Sequence, residues 1–136
     1  MQSILSSSTV PILEQVLNFT EARHNVLAGN IANMDTPGYR VRDLSVEAFH
    51  DHLKEAISAR EQGNEKISPG MGPTHKSDPI RQVKDSLKSI LFHDDTDVSM
   101  EHQVAEMSKN QFMHNMAISI MTSQFRAMQV AISERV

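Results

Sequence analysis

The stretch from Met100 to Ile132, MEHQVAEMSKNQFMHNMAISIMTSQFRAMQVAI, carries the clearest periodicity in the sequence. Positions spaced alternately by four and three residues form a seam of ten side chains, of which eight are apolar, and no glycine or proline interrupts it. This heptad pattern predicts a long helix of the coiled-coil type. The seam consists of Met100, Val104, Met107, Gln111, His114, Ile118, Met121, Phe125, Met128 and Ile132.

A second helical pattern lies near the N-terminus. It starts at Val10, where Pro11 suits a first helical turn. The helix is predicted to stop between Asn33 and Pro37, because the residue before a proline disfavours the α conformation. Pro37 and Gly38 then supply the residues that a type II turn favours. The seam of this helix follows at spacings of four and three: Leu13, Leu17, Thr20, His24, Leu27 and Ile31.

The chain between these helices has a different character. Extended chain is predicted at Arg40 and Val41, and Asp43 or Ser45 could cap a second helix. Its apolar face is formed by Val46, Phe49, Leu53, Ala56 and Ile57.

A flexible linker is predicted after that second helix. The stretch from Gly63 to Pro79 holds three of the five glycines and three of the five prolines. The sequence then leaves room for a short amphipathic helix, before an acidic break at residues 93–97. The inward positions of that short helix are Ile80, Val83, Leu87 and Ile90.

These patterns predict an all-α fold, in which long N- and C-terminal helices pair in a coiled-coil-like bundle around a flexible middle segment. Residues 1–60 hold the first helix, the turn and the second helix. Residues 61–96 form the linker with a possible short helix, and residues 97–136 the heptad helix. The first and last parts are expected to form one structural domain.

Composition excludes several classes of protein. The chain has 136 residues with 13 Lys+Arg against 17 Asp+Glu, so its net charge of -4 argues against a nucleic-acid partner. It has no cysteine, which excludes disulfides, Cys-ligated zinc and thiol catalysis. No apolar run is long enough for direct membrane insertion. No Lys or Arg precedes Arg23, so a cleaved secretory signal is not expected.

No catalytic or cofactor-binding pattern is present. The sequence lacks a Gly-rich phosphate loop, a serine-nucleophile elbow and a metalloprotease helix motif. His50 and His52 would face opposite sides of a helix, and His93 has no spaced third ligand. We therefore expect no enzyme activity, no metal and no cofactor. His24 and His114 are interpreted as a polar layer in a helical interface, and in principle they could make assembly sensitive to pH.

Further apolar residues lie beside the C-terminal seam. One pair of helices would bury only one face of each, so these side chains need additional neighbours. The pattern predicts a protein whose core is completed by other copies or other partners. The residues are Phe112, Met113, Met116, Ile120 and Val130.

The stretch Arg23–Tyr39, RHNVLAGNIANMDTPGY, resembles the N-terminal signature of the flagellar rod and hook family. In that signature a helix ending in N-x-A-N is followed by T-P-G-Y. The C-terminal heptad helix is similar to the closing helix of the same family, so the resemblance covers about residues 10–60 and 94–136. Hook and distal-rod proteins carry β-rich insertions between the helices, for which 136 residues leave no room. The resemblance therefore points to a proximal rod protein.

The resemblance implies a structural subunit of the flagellar basal-body rod, on the periplasmic side. Such subunits are exported through the flagellar type III apparatus without a cleaved signal, and they fold as they assemble into a helical tube. That tube links the rotor ring to the rest of the rod and transmits torque. The implied partners are other rod subunits, further copies of the chain, the rotor-ring adaptor protein and the export apparatus. The alternative is a cytoplasmic coiled-coil adaptor or export chaperone, which would form a closed dimer.

Two groups of residues are predicted to carry this function. In the turn motif, Asn30 and Asn33 should satisfy backbone groups at the helix end, and Tyr39 should anchor the turn. Thr36, Pro37 and Gly38 complete that motif. The assembly interface is predicted to join Leu13, Leu17, Leu27 and Ile31 to Val104, Met107, Ile118, Met121, Phe125 and Met128, in the same subunit or the next.

Overall fold

Two long helices lie side by side in the computed structural model, which describes residues 9–65, 79–87, 91–94 and 99–133. Helix α1 spans Val10–Asn33, and helix α4 spans Met100–Ser133. The end of α1 contacts the start of α4, and the start of α1 contacts the later part of α4, so the two run antiparallel. At 1.5 Å per residue, α4 is about 50 Å long.

Helix α1 begins and ends as its sequence predicts. The backbone N–H groups of Ile12 and Leu13 both donate to the carbonyl of Thr9, 3.1 Å away. After α1 the N–H of Tyr39 donates to the carbonyl of Thr36 at 3.1 Å, and Gly38 has a φ of +78°. A positive φ at the third residue of a four-residue turn is what a type II turn requires. The predicted turn is present.

Two short strands form a ladder that the sequence analysis did not predict. Strand β1, Val41–Leu44, pairs antiparallel with strand β2, Leu91–Asp94. The extended conformation at Val41 was expected, but the interpretation of residue 93 onward as an acidic break was wrong for residues 93 and 94, which belong to β2. Residues 95–98 lie outside the described ranges.

The apolar core lies next to the contact between α1 and α4, and Met113 of α4 packs against it. It joins α1 and β1 to helix α2, Val46–Glu65, and helix α3, Pro79–Ser86. The rings of Phe19 and Phe49 stack at its centre, with centroids 4.1 Å apart. The buried members of this core are Phe19, Leu44, Phe49, Leu53, Ala56, Ile80 and Val83.

The helical fold class with long N- and C-terminal helices is confirmed, and the β1–β2 ladder is a small addition to it. Helix α2 continues to Glu65, beyond the boundary that was expected at residue 60. Helix α3 occupies the place left for a short amphipathic helix, with Ile80 and Val83 buried. Residues 66–78, with most of the predicted linker's glycines and prolines, and Ile90 lie outside the described ranges. Among the described helices, none is both long and apolar enough to cross a membrane.

Candidate assembly interface

The surface between α1 and α4 is unexpectedly polar. The fully buried residues of α4 recur every seven positions, and they are Gln103, Asn110 and Ala117. On the facing side of α1, the buried Thr20, Arg23 and Asn30 provide hydrogen-bonding groups. We call the hydrogen-bonded contacts that cross this surface the polar ladder; they join Asn30 to Gln103, Arg23 to Glu106, Thr20 to Asn110 and His114, and Thr9 to Gln124.

Asn30 forms the first level of the polar ladder. Its Nδ2 donates to the carbonyl of Arg42 at 2.6 Å and to Oε1 of Gln103 at 3.0 Å. Its Oδ1 accepts from the N–H of Arg42 at 3.1 Å and from the hydroxyl of Tyr39 at 3.2 Å. This fully buried amide thereby connects α1 to β1, to α4 and to the turn.

Arg23 forms the second level. Its Nε and Nη2 donate to the two carboxylate oxygens of Asp43, at 2.8 and 2.7 Å. Nη2 also donates to Oε2 of Glu106 at 2.9 Å. A guanidinium that is only 5% exposed needs such partners, because an unpaired buried charge is costly. Arg23 therefore holds α1, β1 and α4 together.

The charges of this level act on one another. Donation from Lys109, at 2.6 Å, is the largest influence lowering the pKa of Glu106. Burial of Glu106 raises its pKa, whereas the bond to Arg23 lowers it further. The pKa of Glu106 therefore lies below the ordinary 4.5. Burial disfavours the charged form of Arg23, but its bonds to Asp43 and Glu106 outweigh that effect and raise its pKa. Both Arg23 and Glu106 are thus charged at neutral pH.

Thr20 forms the third level, next to a cleft of about 160 Å³. Its hydroxyl donates to the carbonyl of Leu17 at 3.0 Å, and Nδ1 of His114 lies 2.8 Å from the same oxygen. Because a hydroxyl has one proton, Nδ1 of His114 is the donor in this arrangement. Asn110 donates from Nδ2 to the carbonyl of Thr20 at 2.8 Å, and the half-buried His24 lines the cleft beside them.

Not every buried acceptor in α1 and α4 has a hydrogen-bond partner. Oε1 of Gln15 and Oδ1 of Asn110 are buried without a hydrogen-bond partner in the described part of the chain. An unsatisfied buried acceptor destabilises a fold by roughly 1–3 kcal/mol. The α1–α4 contact is therefore weaker than an apolar seam of the same length would be.

The predicted interface residues are divided between this contact and solvent. Within this chain Leu27 is buried, whereas Val104, Ile118 and Phe125 are exposed, so those three are not packed between α1 and α4 as an intramolecular seam requires. The buried positions 103, 110 and 117 of α4 each lie one residue before a predicted seam position, 104, 111 or 118. One residue corresponds to a rotation of about 100° around the helix axis. The contact of Val104, Ile118 and Phe125 with a neighbouring subunit stays a prediction. The other predicted members are half-buried: Leu13, Leu17, Ile31, Met107, Met121 and Met128.

Helix α4 instead presents two apolar stripes to solvent. The first stripe consists of Met100, Val104, Ile118, Phe125 and Ile132. The second stripe consists of Phe112, Met116, Ile120 and Val130, among which Phe112 is 71% exposed. At 100° per residue the stripes lie roughly 150° apart on the helix surface. Between them lies a polar ridge, which consists of Asn115, Ser119 and Arg126. Of the extra apolar residues noted in the sequence, only Met113 packs against the core.

The turn residues have the following contacts. Nδ2 of Asn33 donates to the carbonyl of Gly29, a backbone group near the helix end, at 2.8 Å. Asn30 instead bonds the backbone of Arg42 in β1, because its side chain points away from the helix end. Tyr39 is half-buried and its hydroxyl reaches Asn30, which fits an anchoring role. Thr36, Pro37 and Gly38 are exposed.

No cluster of three or more His, Cys, Asp or Glu side chains that could hold a metal ion occurs within the residues that the structure covers. The candidate functional surface is the face of a helix pair, with the polar ladder between α1 and α4 and the apolar stripes on the outer side of α4.

Comparison with known proteins agrees with this arrangement. A family profile described as "Flagella basal body rod protein" matches residues 17–40, which contain Arg23, Asn30 and the turn. Over most of its length the chain resembles the flagellar basal body rod protein FlgB of three bacteria. The identity is 25% for Salmonella typhimurium, covering 85% of this chain and 86% of that protein. It is 24% for Bacillus subtilis, covering 95% and 96%, and 28% for Borrelia hermsii, covering 91% and 95%.

The chain is thus similar to flagellar basal-body rod proteins, which are structural components of the flagellum basal body. The three relatives named above match most of its length and are FlgB proteins, so the similarity points to the FlgB type. Similarity to this family supports association with other components of the basal body.

Proposed function

We propose that this chain is a subunit of the proximal rod, where its α4 helix packs between neighbouring subunits. The observation that carries the proposal is the pair of apolar stripes on α4. Burying a side chain of the size of Phe, Ile or Met contributes about 1.5–3 kcal/mol, so nine exposed residues provide a large driving force for association. A coiled-coil dimer would cover one such stripe and leave the other in water.

The positions of the stripes favour an open assembly over a closed one. Because they lie on different sides of one helix, two neighbours have to approach from different directions. Contacts between unlike surfaces, repeated without closing, generate a helical tube. The partners in this proposal are further copies of the chain, the other rod subunits and the rotor-ring adaptor protein.

The proposal includes folding that is completed on assembly. The polar ladder contains one unsatisfied acceptor, Oδ1 of Asn110, and among the described elements α4 packs against α1 alone. A free subunit therefore holds α4 weakly, and neighbours that cover the stripes add the missing burial. Such weak packing is compatible with passage through the flagellar type III export apparatus in an unfolded form.

The proposal also assigns a mechanical role. Helix α4 is an uninterrupted helix of 34 residues, and no proline or glycine weakens it. A tube of such helices in close contact is stiff under torsion. It is suited to connect the rotor ring to the rest of the rod and to transmit torque.

Mass spectrometry of detergent-extracted basal bodies, with the soluble fraction as reference, tests the proposed location. Enrichment of the chain together with rotor-ring and rod components supports the proposal. Its recovery only in the cytoplasm of flagellated cells would contradict it and would favour a coiled-coil adaptor or export chaperone.

A variant of one stripe tests the proposed contacts. Phe112→Ser removes the most exposed apolar side chain of the second stripe, and Asn115→Ser, on the polar ridge of the same helix, is the control. We expect Phe112→Ser to reduce recovery of the chain in basal bodies by about tenfold, since one such contact is worth about 1.4 kcal/mol or more. Equal recovery of the two variants would argue against burial of this stripe.

A further inference from the structure

Helix α4 is rotated about its own axis in a way that apolar burial alone does not explain. Both apolar stripes face solvent, while Gln103 and Asn110 face α1 and are almost completely buried. Burial favours apolar side chains, and it disfavours amides unless they are hydrogen-bonded. Some other interaction must hold α4 in this orientation.

We propose that the polar ladder determines which face of α4 packs on α1, and thereby keeps both stripes on the outside. The ladder has contacts at four levels, and their order along the two helices is antiparallel and regular. Each donor meets its acceptor at one rotation and one register only. This inference concerns the packing of one chain and does not depend on the proposed place of that chain in the rod.

The geometry of Asn30 and Arg23 makes the alternative orientation unfavourable. Asn30 is fully buried and Arg23 is 5% exposed, and neither can turn towards water without leaving β1 as well. If α4 rotated by one residue, about 100°, Gln103 and Glu106 would move away from them. Asn30 would lose its contact with α4, and Arg23 would retain only Asp43.

Directional contacts explain why the orientation is unique. Apolar surfaces accept many rotations, because their attraction is non-directional. A buried polar layer in a helix pair accepts one register, at a cost in stability. The ladder therefore selects the face of α4 that packs on α1.

Thiol labelling can measure the orientation, because the chain has no cysteine of its own. Three single-cysteine probes sample different sides of α4. Ala117→Cys lies on the buried side, Ser119→Cys on the polar ridge and Ile118→Cys in the first stripe. Labelling rates of the full chain with a small maleimide are measured in sucrose, which favours the compact state. In the parent chain we expect Ala117→Cys to react at least about tenfold more slowly than Ser119→Cys.

The ladder is then weakened by Gln103→Ala combined with Asn110→Ala. A matched control, Gln111→Ala with Asn115→Ala, removes the same residue types from exposed positions that bond only each other at 2.9 Å. We expect the difference in labelling rate between the probes at 117 and 119 to fall below about threefold in the ladder variant. In the control variant this difference in rate should persist. The probe at 118 should react about threefold more slowly in the ladder variant than in the parent, since rotation buries the first stripe.

Three results would overturn the inference. The first is equal labelling rates at 117 and 119 in the parent. The second is a difference between those two rates that is unchanged in the ladder variant. The third is faster labelling at 118 in that variant. The last result means that α4 has come away from α1 instead of rotating. The probe at 118 thus separates a change of orientation from simple unfolding, and far-UV circular dichroism checks that the helix content is kept.

Discussion

Asn30 is the residue on which the contacts of the fold converge. Its amide uses both donor protons and accepts twice, and its partners belong to the turn, to β1 and to α4. No substitution reproduces that set of bonds. The N-x-A-N pattern noted in the sequence thus has a physical basis, because Asn30 bonds the backbone of Arg42 beyond the turn and Asn33 bonds the last turn of α1.

Asn30→Ala should lower the free energy of unfolding by about 3 kcal/mol, because it leaves buried partners such as Gln103 unsatisfied. Asn33→Ala is the matched control and should lose about 1 kcal/mol or less, since its side chain makes one bond at a half-buried site. Urea denaturation followed by circular dichroism measures both. Similar losses in the two variants would show that Asn30 is not the central contact.

Gly38→Val should strain the turn, because Gly38 has a φ of +78° and a β-branched residue rarely adopts that conformation. The expected loss is about 1–2 kcal/mol. We expect assembly into basal bodies to suffer more than export does. Thr36→Val, with a negative φ two residues earlier, is the control. Normal rods built from Gly38→Val subunits would contradict the role given to the turn.

Glu106 should make stability depend on pH in the acidic range. Its pKa in the folded chain lies below the ordinary 4.5, owing first to Lys109 and then to Arg23. A group with a lowered pKa stabilises the fold above its unfolded pKa, and that contribution is lost as the pH falls through the folded pKa. The gap in unfolding free energy between the parent and Glu106→Gln should therefore narrow below pH 4.5.

Urea titrations at a series of pH values between about 3 and 7 measure this gap. Glu55→Gln, at an exposed position on α2, is the control for a carboxylate outside the ladder. A gap that stays constant across the acidic range would mean that the pairing of Glu106 does not stabilise the fold.

At the scale of elements, α1 takes part in two different kinds of packing. Phe19 belongs to an apolar core with α2 and α3, whereas Arg23 and Asn30 contribute polar groups to the contact with α4. The core is expected to hold α1, β1, α2 and α3 together firmly. The α1–α4 contact is the weaker and more specific of the two.

A pair of phenylalanine substitutions distinguishes these roles. Phe19→Ala removes a fully buried ring stacked on Phe49 and should destabilise the isolated chain by about 3–5 kcal/mol. Phe112→Ala changes an exposed ring and should alter that stability by about 0.5 kcal/mol at most. Thermal and urea unfolding of the purified chains provide the comparison. A large loss for Phe112→Ala would mean that the second stripe serves this chain's own core.

How well the sequence predicted each element depends on how far apart in the chain the residues that determine it lie. The long helices and the T-P-G-Y turn depend on neighbouring residues, so periodicity and turn chemistry located them. Strand β2 has four residues and takes its conformation from β1, far away in the chain, so no local pattern indicated it. The Met-rich seam suggested apolar burial, but the ladder joins residues 73 to 115 positions apart. The sequence signals for it were the heptad spacing of Gln103, Asn110 and Ala117 and the polar seam position of His114.

At the scale of the whole molecule, the fold resembles part of a larger assembly. Within the described residues the core is small, the longest helix is covered on one side only, and the most exposed large apolar residues lie on that helix. The proteins that the chain resembles over most of its length are basal body rod proteins of the flagellum. The central claim is that neighbouring subunits in the rod cover the stripes of α4.

Thiol protection of the second stripe in assembled rods tests this claim most directly. Met116→Cys, in the second stripe, is expressed in flagellated cells in place of the parent chain. Maleimide labelling is then compared between the purified chain and isolated basal bodies. We predict rapid labelling of the purified chain and at least about tenfold slower labelling in basal bodies, as expected for a side chain buried by a neighbour. Equal rates in the two samples would contradict the account.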